Sequence, residues 1–273
     1  MANISAADVN KLRQMTGVGM MDCKKALVEC DGDFDKAIDF LRQKGQKLAA
    51  KRAERDANEG VVLAKANGSF GAVIMVNCET DFVANNADFV AFTQSILDNA
   101  IANKFTAKDD VLNMAIDGRK VADLLTDQIA KIGEKIDLAH YESIEGVAVS
   151  AYIHPGNRMA SVVALSKDGF EAIGHNLAMQ VVAMRPVALD ENSVAPEVIE
   201  KEMEVYRAQI REEGKPENMV ENIAKGKLNK FFKENTLLSQ ESITESKTSV
   251  KDYVAKADKD LKVLGFRRLE LGA

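Results

Sequence analysis

The chain has 273 residues, of which 46% are hydrophobic and 29% charged, with a formal net charge of −6. An acidic balance argues against direct nucleic-acid binding, whose affinity rests on neutralising phosphates. The absence of tryptophan and an aromatic content of 5% leave little for a base-stacking platform. No apolar run is long enough to span a bilayer and no charged-then-apolar leader opens the chain, so the expectation is a cytoplasmic protein without membrane attachment.

Residues 1–55 read as a small helical unit. Ser5 is placed to cap a first helix through Leu12 and Met15, with Asp8 in its first turn. Thr16-Gly17-Val18-Gly19 breaks that helix. A second spans about Met21 to Cys30 and stops at Asp31-Gly32, where glycine supplies a left-handed position. Asp33 opens a third, with Phe34, Ala37, Ile38 and Leu41 on one face. Three such helices resemble a ubiquitin-associated-type bundle. Lys44, Lys47, Lys51, Arg52 and Arg55 then mark residues 44–56 as a polar, solvated connector of helical character.

From Gly60 the pattern turns to strands. Val61 to Ala64 leads to the hairpin signal Asn67-Gly68, and Ala72 to Val76 returns. A helix follows with Phe89, Phe92, Ile96 and Ala100 in phase. Residues 108–138 read as mainly helical. From Gly146 the order repeats: a strand over Val147 to Ile153, a turn at His154 to Asn157, a strand over Ala160 to Leu165, and a helix carrying Ile173, Leu177 and Val181. This is an internal duplication in pattern. Residues 197–234 predict an antiparallel helical hairpin turning at Gly214-Lys215-Pro216. Val250 to Ala257 predicts a helix, and Leu264 to Leu271 a last edge strand. The expected fold class is α+β, divided into residues 1–55, a first core unit 56–140 with its helical connector, and a second core unit 141–273 that includes the hairpin.

Cys23, Cys30 and Cys78 lack Cys-x-x-Cys spacing, so a zinc site or a disulfide framework is not expected. His140, His154 and His175 fall in no ligand or nucleophile signature, which argues against an enzyme. A Cys78–His pair formed in space stays open at this level.

The most informative segment is Val76-Asn77-Cys78-Glu79-Thr80-Asp81-Phe82-Val83-Ala84-Asn85. It lies between a strand and a helix that begins near Asp88, so it reads as a strand-to-helix turn carrying an adjacent charge and aromatic. Two roles fit Phe82. It can form a tip that a partner accommodates, or, seven residues before Phe89, it can staple the start of the following helix from below. This segment and Leu12-Arg13-Gln14-Met15-Thr16-Gly17-Val18-Gly19-Met20-Met21-Asp22-Cys23-Lys24-Lys25-Ala26-Leu27 resemble, in order and separation, the two signatures of the bacterial elongation factor Ts family. Gly226 to Phe231 and Asn235 to Gln240 are similar to that family's helical hairpin region.

The resemblance implies a guanine-nucleotide exchange factor for elongation factor Tu, with no cofactor and no metal of its own. It implies that Thr80, Asp81, Phe82 and Val83 disturb the magnesium and phosphate side of the partner's pocket, with Phe82 as a wedge. It also implies that the N-terminal unit docks on the partner's GTPase domain. Arg13, Met20, Met21 and Lys24 are the candidate contacts there, and His154 in the second repeat faces the partner's other domains. The hairpin is a candidate contact for a homodimer of the heterodimer. Met75 departs from the pattern, which usually has a glutamate before Val-Asn-Cys. Some family members continue into a further C-terminal helix, which the sequence to Ala273 does not show. The competing expectation is a non-catalytic ubiquitin-like adaptor resting on the N-terminal bundle alone.

Overall fold

The computed structural model of the protein describes residues 4–272. Its first helix, α1 (Ala6–Thr16), starts as the sequence dictates. The Ser5 hydroxyl accepts from the Asp8 N–H at 3.1 Å while the Asp8 carboxylate accepts from the Ser5 N–H. Gly17, at φ 70°, closes it. Helix α2 (Met20–Glu29) and helix α3 (Phe34–Arg52, capped by Asp33) complete a bundle whose core holds Leu12, Cys23, Ala26, Leu27, Ala37 and Leu41.

The connector at 44–56 departs from expectation. It is no solvated linker, because α3 runs unbroken to Arg52 and is amphipathic throughout. Lys47 and Lys51 are exposed, but Leu48 and Ala49 on the opposite face pack on the central core.

Strands β1 (Glu59–Asn67) and β2 (Phe70–Cys78) form the first antiparallel hairpin. A four-residue helix α4 (Asp81–Ala84) follows, then α5 (Ala87–Ala102), α6 (Lys108–Asn113), a two-strand ribbon β3 (Ala115–Ile116) and β4 (Arg119–Lys120), and α7 (Val121–Ile132). The 108–138 stretch is mainly helical, as expected, in α6 and α7; its last two residues open an unexpected strand, β5 (Asp137–Glu145), which pairs with β2 to give the order β1-β2-β5. The division drawn at 140/141 therefore runs through a strand.

The second repeat comprises β6 (Ala148–Ile153), β7 (Met159–Leu165) and α8 (Glu171–Met184). The hairpin helices α9 (Pro196–Glu212) and α10 (Glu217–Asn235) come next. Helix α11 (Val250–Ala257) and β8 (Val263–Glu270) end the chain, giving the sheet order β6-β7-β8. The duplication thus extends to a third strand, entered in each copy after an excursion of helices.

The two sheets lie face to face. Val62, Val73 and Met75 of the first meet Val149, Ala160 and Val162 of the second in one apolar cluster. The opposite face of the first sheet carries Val61, Leu63 and Ile74 against Phe89, Ile96 and Leu97 of α5. The opposite face of the second carries Val163 and Leu165 against Leu177 and Val181 of α8 and Val254 of α11. The result is a four-layer α+β arrangement of helices, sheet, sheet, helices. It explains why the centres of β2 and β7 read as continuous apolar runs instead of alternating ones, since both faces are covered. Met75 contributes to the seam between sheets, which gives its departure from the family pattern a packing role.

The hairpin has a small core of its own, Met203, Ile210, Val220 and Ala224. Arg207–Glu221 and Arg211–Glu217 pairs lace its surface, and it is tied to the body at its base by Val187 N–H to Asn235 O and Leu237 N–H to Ala188 O, both 2.9 Å.

Candidate functional site

Strand β2 delivers Glu79 and Thr80 to the point where the chain leaves the sheet. The segment that follows is not a simple strand-to-helix turn, because Asp81–Ala84 form a helical turn of their own before α5 begins. The Thr80 side chain caps this turn, accepting from the Val83 N–H at 3.4 Å. At the other end the Asn85 amide donates to the Asp81 carbonyl at 2.9 Å, and Asn86 caps α5 by accepting from the Asp88 N–H at 2.8 Å.

This double break in the helix turns Phe82 outward. Its exposure is 86%, the largest among the exposed large hydrophobic residues, while Phe89 is buried in the core. The staple alternative for Phe82 is therefore overturned. Val83 and Ala84, on the inner side of the turn, pack against the core cluster and fix how the turn sits. A groove lined by Phe82, Val83, Asn86, Gln128, Lys131 and Ile132 runs beside it toward α7.

Two carboxylates hold the tip from behind. Glu134, in the link between α7 and β5, accepts from the Glu79 N–H and the Thr80 N–H, each at 3.0 Å, and from the Thr80 hydroxyl at 2.7 Å. Glu79 returns the favour, accepting from the Lys135 N–H at 2.6 Å while pairing with Arg52 at 2.6 Å and Arg55 at 3.2 Å. Burial, which leaves the Glu79 side chain 14% exposed, acts to raise its pKa. The Lys135 N–H and the two guanidinium groups outweigh that and hold the carboxyl below its ordinary range. Glu134, Lys135 and Arg52 as supports of the tip escaped sequence reasoning. All three are distant in sequence, and no local pattern signals them.

Of the other candidates, Arg13, Lys24 and His154 are exposed, as are Met20 (54%) and Met21 (75%) at the start of α2. Leu12, Ala26 and Leu27 are core, as expected. His154 sits at the β6–β7 turn, its Nδ1 3.2 Å from the Tyr152 hydroxyl.

Cys78 is no nucleophile. It is buried, its Sγ donates to the Thr80 carbonyl at 3.2 Å, and burial, with the Glu134 charge behind it, pushes the thiol up to about 12. Among the described residues no group of three or more His, Cys, Asp or Glu side chains is placed to hold a metal, and no helix is long and apolar enough to cross a membrane.

Residues 79–273 match the family model described as Elongation factor TS. Over its full length the chain is 50% identical to an elongation factor Ts of Christiangramia forsetii and 50% identical to one of Flavobacterium psychrophilum, in both cases across 100% of each protein. An elongation factor Ts of Porphyromonas gingivalis is 44% identical over 99% of each chain.

The chain belongs to the elongation factor Ts family. It is accordingly a translation elongation factor and not an enzyme. The match to the family model opens at Glu79, the residue before the Thr80 cap, and the full-length relatives extend the similarity through the N-terminal bundle.

Proposed function

We propose that the protein binds elongation factor Tu with GDP bound and promotes release of the nucleotide, with the 80–83 turn as the element that disturbs the magnesium and phosphate side of the partner's pocket. The observation that carries this reading is Phe82, a large aromatic held almost fully in solvent on a turn that is fixed at both ends. An exposed phenyl ring costs free energy in the isolated protein, and burying it against a partner recovers that cost and more. A buried aromatic anchor contributes about 2 kcal/mol or more to an interface.

The factor need not touch the nucleotide. It binds the nucleotide-free partner better than the loaded one, and linkage requires nucleotide and factor to weaken each other by the same ratio. Excess GTP then sets the direction. Asp81 stands next to the ring as an exposed carboxylate suited to a polar contact with groups that Phe82 displaces. A lone carboxylate is a poor resident site for Mg²⁺, which takes several oxygens in near-octahedral geometry.

Arg13, Met20, Met21 and Lys24 give the bundle a mixed apolar and basic face for docking on the GTPase domain. Flexible methionines suit such an adaptable contact. His154 would meet the partner from the second repeat. The hairpin, with Val205 and Met219 exposed, is the candidate element for pairing two such complexes.

Stopped-flow release of a fluorescent GDP analogue from elongation factor Tu tests the reading. Acceleration by the wild-type protein, lost in Phe82→Ala with the fold intact, is the expected result. No acceleration by the wild type overturns the exchange function, and acceleration that survives Phe82→Ala overturns the wedge.

A further inference from the structure

The exposed turn poses a physical problem. An isolated helical turn of four residues is unstable in water, because nucleation fixes several dihedrals for one hydrogen bond. Ordering each of its residues also costs conformational entropy. The Thr80 cap, at 3.4 Å, is a long hydrogen bond and a weak restraint by itself. Yet the turn must present Phe82 in one direction if the ring is to act on a partner.

The restraint comes from Glu134. Its two oxygens collect three donors from two consecutive residues at the base of the turn, the Glu79 and Thr80 N–H groups and the Thr80 hydroxyl. Hydrogen bonds to a charged acceptor are roughly twice as strong as neutral ones. Because the Thr80 hydroxyl donates to Glu134 and accepts from Val83, its orientation is set and the cap is aligned with it. Glu134 follows Gly133, which closes α7 at φ 86°, and so the carboxylate is carried on the end of a helix packed into the core.

A second lock lies beside the first. Lys135, next along the chain, donates its N–H to Glu79, and Glu79 pairs with Arg52 at the last turn of α3. The tip is thereby joined to the helix that also belongs to the N-terminal bundle.

We propose that Glu134 is a positioning residue for nucleotide exchange, which orders the 80–83 turn before the partner arrives, so that once the bundle and the second repeat have docked Phe82 already stands in the orientation that acts on the partner. The proposal rests on the exchange reading above. It predicts a specific kinetic split. With Glu134→Ala the bundle and the second repeat still dock, so the concentration for half-maximal exchange changes less than about twofold. In the docked complex the turn is then competent only part of the time, which lowers the maximal exchange rate about tenfold.

The experiment combines two measurements on the full chain. Hydrogen–deuterium exchange of the free protein, read at residues 79–85, reports the order of the turn without any partner. Stopped-flow GDP release from elongation factor Tu, over a range of factor concentrations, separates the maximal rate from half-saturation. Glu134→Ala is the main variant. Glu134→Gln keeps a single carbonyl acceptor and should lie between wild type and Glu134→Ala, and Thr80→Val, which removes both the hydroxyl donor to Glu134 and the cap for Val83, should also loosen the turn while leaving the carboxylate bonded to the two N–H groups. They also keep the test sharp if the alanine variant fails to fold. Faster amide exchange confined to 79–85, together with the reduced maximal rate, supports the proposal. Unchanged protection at 79–85, or lost protection with an unchanged maximal rate, overturns it. If Phe82→Ala leaves GDP release as fast as wild type, the wedge reading itself fails, and the amide data still decide whether Glu134 orders the turn.

Discussion

The two repeats share a three-strand sheet, a covering helix and one irregularity. In the first, the pairing of β2 with β5 slips between Met75 and Val76, and in the second the pairing of β7 with β8 slips between Ala164 and Leu165. Taking those slips as equivalent positions, ten residues (77–86) separate Val76 from α5, whereas five (166–170) separate Leu165 from α8. The extra length lets the first repeat form α4 and expose Phe82. The second has a plain turn, and its aromatic, Phe170, lies partly buried against the core below. One scaffold therefore yields an exposed aromatic tip in one copy and a packing element in the other, and the difference lies in a loop, where sequence and length vary most freely.

The largest effect expected on this contrast comes from the residue beneath the tip. Phe89→Ala empties a buried site under the first sheet and should destabilise the protein by ~3–5 kcal/mol, read from the urea midpoint. A loss below about 1 kcal/mol would mean that α5 is not the helix that holds the first repeat together.

The sharper comparison sets Phe82→Ala beside Phe170→Ala. The first should leave stability within about 0.5 kcal/mol of wild type, as for an exposed site, and lower GDP-release acceleration ~30-fold, which corresponds to about 2 kcal/mol. The second should do the reverse, costing about 1–3 kcal/mol of stability and leaving exchange per folded molecule within about twofold. Equal effects of the two substitutions in either assay would erase the distinction between tip and packing element.

The sequence shows the apolar runs of both hairpins, the phase of α5 and α8, the caps at Ser5 and Asp33, and the antiparallel helices on either side of Gly214. It hides β5 for a physical reason. The slip opposite Met75 and Val76 puts Ala139 out of register, so Leu138 and Tyr141 both enter the same core although three residues apart. That spacing imitates a helix, and a period-two reading fails on it. The same kind of slip leaves Leu264 half-exposed and spoils the alternation of β8. At the tip, Phe82 and Phe89 share a helical phase, and only the interruption at Asn85 and Asn86 sends them to opposite environments. Glu134 had no local signal at all, because its role is defined by partners more than fifty residues away.

The smallest predicted effect concerns the junction behind each loop. In the second repeat Ser166 and Lys262 exchange two neutral hydrogen bonds of 2.9 Å, Ser166 N–H to Lys262 O and Lys262 N–H to Ser166 Oγ. Just beyond the paired strands of the first repeat the chain is held instead by an ionic group, with Glu79 receiving the Lys135 N–H, Arg52 and Arg55. The native pKa of Glu79 lies below the unfolded value of 4.5, so its contribution to stability is fully present above that pH. It is lost as the pH falls through the native pKa, where the unfolded chain has already taken up its proton and the native carboxylate follows. Wild type should exceed Glu79→Gln in stability by about 1–2 kcal/mol at pH 7, the scale of a charged hydrogen-bond set. The gap should start to narrow near pH 4.5 and close below the native pKa. Asp258, held low by Lys167 near the second junction, titrates in the same direction. Its contribution is common to both proteins and cancels in their difference. A gap that stayed constant down to pH 3 would show that Glu79 stabilises the tip by shape and not by charge, and the ionic character of the first junction would then be incidental to holding the turn.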